Sequence, residues 1–149
     1  MLNRIYKLNR KDMDQNYNIM IVDDVNENIK VAMNILRDRN YNFSFATNGL
    51  EALKIVKTIS FDLILLDIRM PNLDGFNVIK TLKKDDKTKD IPIIFLSAKS
   101  DKDSLDNAFE LGAADYITKP FHSTELLVRV EHQLEFSRLK KLLKQQNKQ

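Results

Sequence analysis

A chain of 149 residues, 43% hydrophobic and 30% charged, has the length and balance of one globular domain with a full core. It contains no cysteine, which excludes a disulfide framework and any thiolate metal or redox site, and no apolar run approaches the ~18 residues that span a bilayer. The formal net charge of +3 is unevenly placed: residues 1–16 carry +2, residues 137–149 carry +5, and residues 17–136 are left at −4. The basic excess therefore sits in the two ends. It lacks the aromatic interleaving of a single-strand nucleic-acid surface, so nucleic acid is not an expected partner, and the basic tail reads as a solvated helix surface. The N-terminus has no apolar middle of a signal peptide, and a cytoplasmic location without membrane contact is expected.

In chain order, residues 1–16 show no period and form an N-terminal extension. Ile19 to Val22 is a buried strand ending on Asp23 and Asp24. Asn26 to Arg39 is a helix with Ile29, Met33 and Leu36 inward. Tyr41, Phe43 and Phe45 alternate with polar residues, which predicts a half-exposed edge strand. After the Asn48-Gly49 turn, Leu50 to Ile59 forms a second helix with Leu53 and Val56 inward.

Leu63 to Leu66 is a continuous apolar run, bounded by turn signals and ending on Asp67, as expected of a strand buried on both faces. Its loop, with Pro71, Asn72, Asp74 and Gly75, leads into a third helix, Gly75 to Lys84, with Phe76 and Ile79 inward. Pro92 to Leu96 is the apolar run of a fourth strand that ends on Ser97. Asp101 or Asp103 caps a fourth helix, with Leu105, Ala108, Phe109 and Gly112 on one face. Tyr116 and Ile117 start a fifth strand that ends on Lys119-Pro120, and Ser123 opens a last helix.

Five strands alternating with five helices predict an α/β fold: a doubly wound five-stranded parallel sheet of flavodoxin-like type, order 2-1-3-4-5, with helices on both faces. In such a sheet the residues after each strand reach one rim. Asp23, Asp24, Asp67, Ser97 and Lys119 should meet there, with the three carboxylates within a few ångströms. Carboxylates that close repel one another, and a divalent cation removes the conflict. An all-oxygen set without His or Cys favours a hard ion, Mg²⁺ first. An acidic pocket with Mg²⁺, an ammonium and a hydroxyl suits a phosphoryl group carried on a carboxylate.

These pieces resemble the receiver domain of bacterial two-component response regulators: Ile21-Val22-Asp23-Asp24, Leu66-Asp67-Ile68-Arg69-Met70-Pro71 with Asp74-Gly75, Leu96-Ser97-Ala98, and Gly112 to Tyr116 running into Lys119-Pro120-Phe121. The resemblance covers about residues 17–136 and implies a signalling switch rather than an enzyme. Asp67 is implied as phosphoacceptor from a histidine kinase or phosphotransfer protein. Asp24, Asp67 and the Arg69 carbonyl are implied as Mg²⁺ ligands, with Asp23 acting through water. Lys119 and Ser97 are implied to stabilise the phosphoryl group, Ser97 and Tyr116 to switch, Arg69 and Lys99 to tune its lifetime, and Lys119–Pro120 to be cis.

Two other readings are weaker. A phosphatase of the haloacid dehalogenase type wants an acid two residues after its nucleophilic Asp, where this chain has Arg69. A degenerate receiver acting as a pure interaction module is disfavoured because every phosphorylation residue is present. Residues 137–149 form a basic helical extension or linker. Leu127, Val130 and Leu134 mark one stripe of the last helix, and Phe136, Leu139 and Leu143 mark a second, rotated stripe that suggests a homodimer on phosphorylation.

Overall fold

The computed structural model describes residues 16–98 and 102–147. β1 (Tyr17–Val22), β2 (Tyr41–Ala46), β3 (Leu63–Asp67), β4 (Ile93–Ala98) and β5 (Asp115–Lys119) alternate with α1 (Asn26–Leu36), α2 (Gly49–Ile55), α3 (Gly75–Lys84), α4 (Lys102–Glu110) and α5 (Ser123–Asn147). The strands form one parallel sheet in the order β2-β1-β3-β4-β5. The order and the edge position of β2 are those expected from the sequence.

The sheet is buried on both faces by strand alternation. Ile19, Ile21, Leu63, Leu65, Ile94, Leu96 and Ile117 face a core built with Ile29, Ala32 and Leu36 of α1 and with Leu126, Val130 and Leu134 of α5. Met20, Val22, Ile64, Leu66, Ile93 and Phe95 face the opposite core, with Ala52 of α2, Val78, Ile79 and Leu82 of α3, and Ala108 of α4. Leu63 to Leu66 are fully buried because each successive side chain is claimed by one of the two layers. Every residue of β3 is buried, and Asp67 is its last residue.

Helix limits and faces differ from the sequence expectation in several places. α1 stops at Leu36 rather than Arg39, and α2 stops at Ile55, with a further turn closed by Ile59 N–H to the Ile55 carbonyl. Met33, Leu53, Val56 and Phe76 are half-buried, while small Ala32 and Ala52 take the closest positions to the sheet. Gly112 is not on the inner face of α4. It lies beyond the helix with φ 106°, donates to Phe109 O at 3.0 Å, and lets Ala113 N–H reach Ala108 O at 3.1 Å. That pair of bonds closes the helix in a Schellman motif, which needs the left-handed backbone glycine adopts freely. Phe109, expected inward, is exposed at the backbone side of this stop but lays its ring edge-on to Tyr116 at 5.7 Å. In α5 the buried stripe is Leu126, Val130 and Leu134, with Leu127 half-buried. Asp103 lies inside the first turn of α4 rather than capping it, and Asp101 falls outside the described residues.

The turn from β3 to α3 holds the rim in shape. Asn72 takes a left-handed conformation (φ 71°), which asparagine tolerates better than most residues. Asp74 caps α3 by accepting from Asn77 N–H at 3.0 Å, and Gly75 N–H donates to Ile68 O at 2.8 Å. A Cβ on Gly75 would meet Asp67 O at 2.5 Å and Ile68 Cα at 2.9 Å, both backbone atoms that cannot step aside cheaply. Gly75→Ala is therefore expected to destabilise the fold by about 1–3 kcal/mol, as overpacking does. Urea unfolding of the two proteins measures it, and an unchanged midpoint would show that the turn yields without cost.

Candidate functional site

β1 and β3 are neighbours, with Val22 opposite Leu66, so the residues that follow them emerge side by side at the carboxyl rim. Carboxylate oxygens of Asp23, Asp24 and Asp67 lie within 4.8 Å of one another, and together they could hold a metal ion. Asp23 and Asp67 are buried and Asp24 is exposed, which gives the cluster one solvent-facing side. Asp23 Oδ1 accepts from Val25 N–H at 3.0 Å, tying this acid to the start of α1. Its Oδ2 is buried, makes no hydrogen bond of good geometry, and faces Lys119 Nζ at 2.8 Å.

Lys119 crosses from the end of β5 and stands between two acids, 2.8 Å from Asp23 Oδ2 and 3.2 Å from Asp67 Oδ1. The sequence suggests Asp67 as its partner; the structure adds Asp23 as the nearer one. Burial pulls the Lys119 ammonium towards the neutral form, but Asp23 and Asp67 outweigh it and its pKa lies above the ordinary lysine value. Burial, then the negative charge of Asp23, push the Asp67 carboxyl up to about 7, with Lys119 opposing them. One ammonium does not neutralise three acids that close together. The donor set is all oxygen and one side is open, so a hard divalent cation fits this cluster.

Ser97 follows Leu96, the residue paired with Asp67 across β3 and β4. It is 2% exposed, and its hydroxyl is buried without a hydrogen-bond partner among the described residues. The register puts Ser97 at the same rim, one residue beyond the partner of Asp67. Tyr116 pairs with Phe95 in the sheet and is half-buried. Its ring lies between Phe109 and the Arg129 guanidinium, the latter 5.9 Å from the ring centroid. Arg69 is exposed, and its guanidinium donates to Ser104 Oγ of α4 at 3.4 Å. Lys99 lies outside the described residues. The Lys119–Pro120 bond is cis.

The structure thus brings Asp23, Asp24, Asp67 and Lys119 together, with Ser97 on the adjacent strand end and Tyr116 one strand further out. The sequence of the protein matches the description of the response regulator receiver domain over residues 19–131. The chain belongs to the response regulator receiver domain family. It is 42% identical over 125 residues to the probable transcriptional regulator ycf27 of Cyanidium caldarium, covering 84% of this chain and 49% of that protein. It is 38% identical over 147 residues to a probable cyclic di-GMP phosphodiesterase of Vibrio cholerae, covering 99% of this chain and 33% of that protein. The fold superposes on the crystal structure of NtrX from Brucella abortus with a TM-score of 0.84 at 27% identity, over 90% of this chain and 31% of that one. The chain therefore spans a third to a half of these longer relatives.

Some neighbours of the receiver site escape sequence reasoning. Arg129 of α5 grips Asp115 with both carboxylate oxygens at 2.7 and 2.8 Å and also donates to Glu125 at 3.2 Å, while Asp115 Oδ1 accepts from Tyr116 N–H at 2.8 Å. The Glu125–Arg129 spacing of four residues was the available signal; the link to Asp115, fourteen residues away, was not readable.

The raised Asp67 carboxyl carries a sign for stability. Its folded pKa of about 7 lies above the ordinary 3.8, so the folded state holds a proton that the unfolded state releases. Without divalent cations, this group's contribution falls as pH rises from about 4 to about 7 and is flat above that. Asp67→Asn removes the burial and repulsion of that charge. Thermal melts in EDTA should show the variant higher than the wild type at pH 8 by ~1 kcal/mol or more, about 2–4 °C, with the gap closing towards pH 4. A gap that is constant with pH would assign the difference to something other than this ionisation.

Proposed function

We propose that the rim is a phosphorylation switch in which Asp67 accepts a phosphoryl group from the phosphohistidine of a histidine kinase or phosphotransfer protein. The observation that carries this reading is the crowding of three carboxylates around the Lys119 ammonium, next to a buried hydroxyl without a partner among the described residues. An Asp67 oxygen attacks phosphorus, the P–N bond breaks, and the imidazole leaves as its nitrogen takes a proton, which leaves an acyl phosphate on Asp67.

Asp24, Asp67 and the Arg69 backbone carbonyl would hold Mg²⁺ directly, with Asp23 through water, and the ion would draw negative charge from the phosphoryl oxygens. Lys119 already stands beside Asp67 Oδ1, so it can pair with a phosphoryl oxygen without a large movement. The Ser97 hydroxyl supplies a donor whose bonding capacity is unspent before phosphorylation. Movement of Ser97 towards the phosphoryl group vacates space on the strand face it shares with Tyr116, and Tyr116 turns inward behind it. The surface formed by α4, β5 and α5 then differs between the two states and is read by an output partner. We place this receiver at residues 17–136, in the cytoplasm, with residues 1–16 preceding it and residues 137–149 as its helical extension.

Acetyl phosphate with Mg²⁺ should add one phosphoryl group, seen by intact mass, to wild-type protein and none to Asp67→Asn. Equal labelling of the two, or labelling undiminished by EDTA, would defeat the assignment. Arg69, held to Ser104 across the rim, can screen the phosphoryl group from water but offers no acceptor for a proton of an attacking water. Arg69→Asn is expected to hasten loss of the label several-fold; a tenfold change corresponds to ~1.4 kcal/mol in the barrier. Superimposable decay curves would show that this side chain does not guard the site.

A further inference from the structure

The last helix carries two apolar stripes on opposite sides. At ~100° per residue, the buried set Leu126, Val130 and Leu134 spans one side of α5. Phe136, Leu139, Leu142 and Leu143 span an arc of ~120° centred roughly 180° away. These four are 56%, 46%, 43% and 60% exposed, and Val128, 41% exposed, lies on the same arc one turn and more upstream. The second stripe is therefore not a continuation of the first.

The extension turns its polar side, not its apolar side, towards its own receiver. Ser137, Arg138 and Lys141 line a cavity of about 110 Å³ at the base of the sheet together with Tyr17, Asp62 and Leu134. Lys144, on the same side, reaches Asp90 at 3.5 Å. Polar and basic side chains thus lie on the receiver's side of the extension, and the leucines face away. A monomer would keep this apolar arc in water although an amphipathic helix could have turned it inward.

We propose that this face pairs with the same face of a second copy of the chain, in a parallel, in-register two-stranded coiled coil. Phe136 and Leu143 fall at a positions, and Leu139 and Gln146 at d positions, so identical residues meet across the axis. Glu135 then stands at g and Lys140 at e. In a parallel pair a g residue faces the e residue of the partner five positions on, so Glu135 of each copy meets Lys140 of the other. An antiparallel pair brings no such opposite charges together. Arg138, Lys141 and Lys144 occupy outer positions on the receiver's side of the helix, where the two copies' charges are separated by about a Debye length and screened. Within one chain, Glu135 pairs with Arg138 at 2.7 Å and Lys140 lies 4.6 Å from the Phe136 ring centroid, so both charges already flank the seam. The receiver core uses the other side of α5 and need not be disturbed. The pairing does not depend on phosphoryl chemistry.

Two heptads give a weak dimer, with Kd on the order of 10–100 µM. Sedimentation equilibrium of the full 149-residue chain across that range should show a reversible monomer–dimer system. Leu139→Glu with Leu143→Glu should abolish the dimer while leaving the circular dichroism of the receiver intact, since both side chains are exposed. Glu135→Lys or Lys140→Glu alone should weaken it several-fold, and the two together should restore it. Because the chain has no cysteine, Gln146→Cys should form an interchain disulfide on oxidation only if the helices are parallel and in register. A wild-type chain that stays monomeric, a dimer indifferent to the leucine changes, or a Gln146→Cys dimer that fails to cross-link would each overturn the proposal. So would monomeric protein whose wild-type form alone cosediments with phosphatidylglycerol vesicles, which would assign the face to a membrane surface.

Discussion

The crowding of Asp23, Asp24 and Asp67 around the single Lys119 ammonium is the constraint that gives the rim its character. Two of the acids are buried, and Lys119 bridges them at 2.8 and 3.2 Å. Burial and mutual repulsion raise the Asp67 carboxyl to about 7, so the site holds unspent electrostatic stress in the absence of a further positive charge. The same stress that opposes stability without a cation favours binding of one. A site of this kind responds strongly when charge is added or removed, which is what a switch built on phosphoryl transfer requires.

Such stress persists only because the scaffold around it does not yield. β3 is covered on both faces by apolar side chains and cannot slide without exposing leucines on each side. Gly75 lets α3 begin against the backbone of Asp67 and Ile68, so the loop after β3 has little freedom to carry the acid away. Ser97 stands on the neighbouring strand, its hydroxyl buried and unpartnered among the described residues, and Tyr116 lies on the same side of the sheet one strand further out. Tyr116 thus lies at the edge of the rim, next to Arg129 and Phe109, whereas Asp67 ends the strand covered on both faces.

α5 connects these two roles. Its first half fills the core against β3, β5 and α1, and its Arg129 clamps Asp115 and overlies Tyr116. Its second half continues without a break to Asn147 and reverses its apolar side. One helix therefore touches Tyr116 at one end and carries an exposed apolar arc at the other.

Much of this was legible in the sequence because its signals are local. The apolar run Leu63 to Leu66 fixes a doubly covered strand, the acids after β1 and β3 fix the rim, and the alternation of strands and helices fixes the parallel sheet with β2 at its edge. The Asp74-Gly75 pair marks the start of α3 correctly because a cap and a close approach are both properties of single residues. What tertiary structure alone decided depends on contacts between distant segments. Local pattern could not show that Lys119 lies nearer Asp23 than Asp67, that the Ser97 hydroxyl is buried without a partner among the described residues, or that Arg129 binds Asp115. Nor could it show that Gly112 ends α4 rather than packing on it, since helical spacing continues through a residue whose φ of 106° breaks the helix. The sequence displayed two stripes on the last helix. Which of them the receiver buries follows from the apolar core that β3, β5 and α1 present to Leu126, Val130 and Leu134, a surface that exists only once the chain has folded.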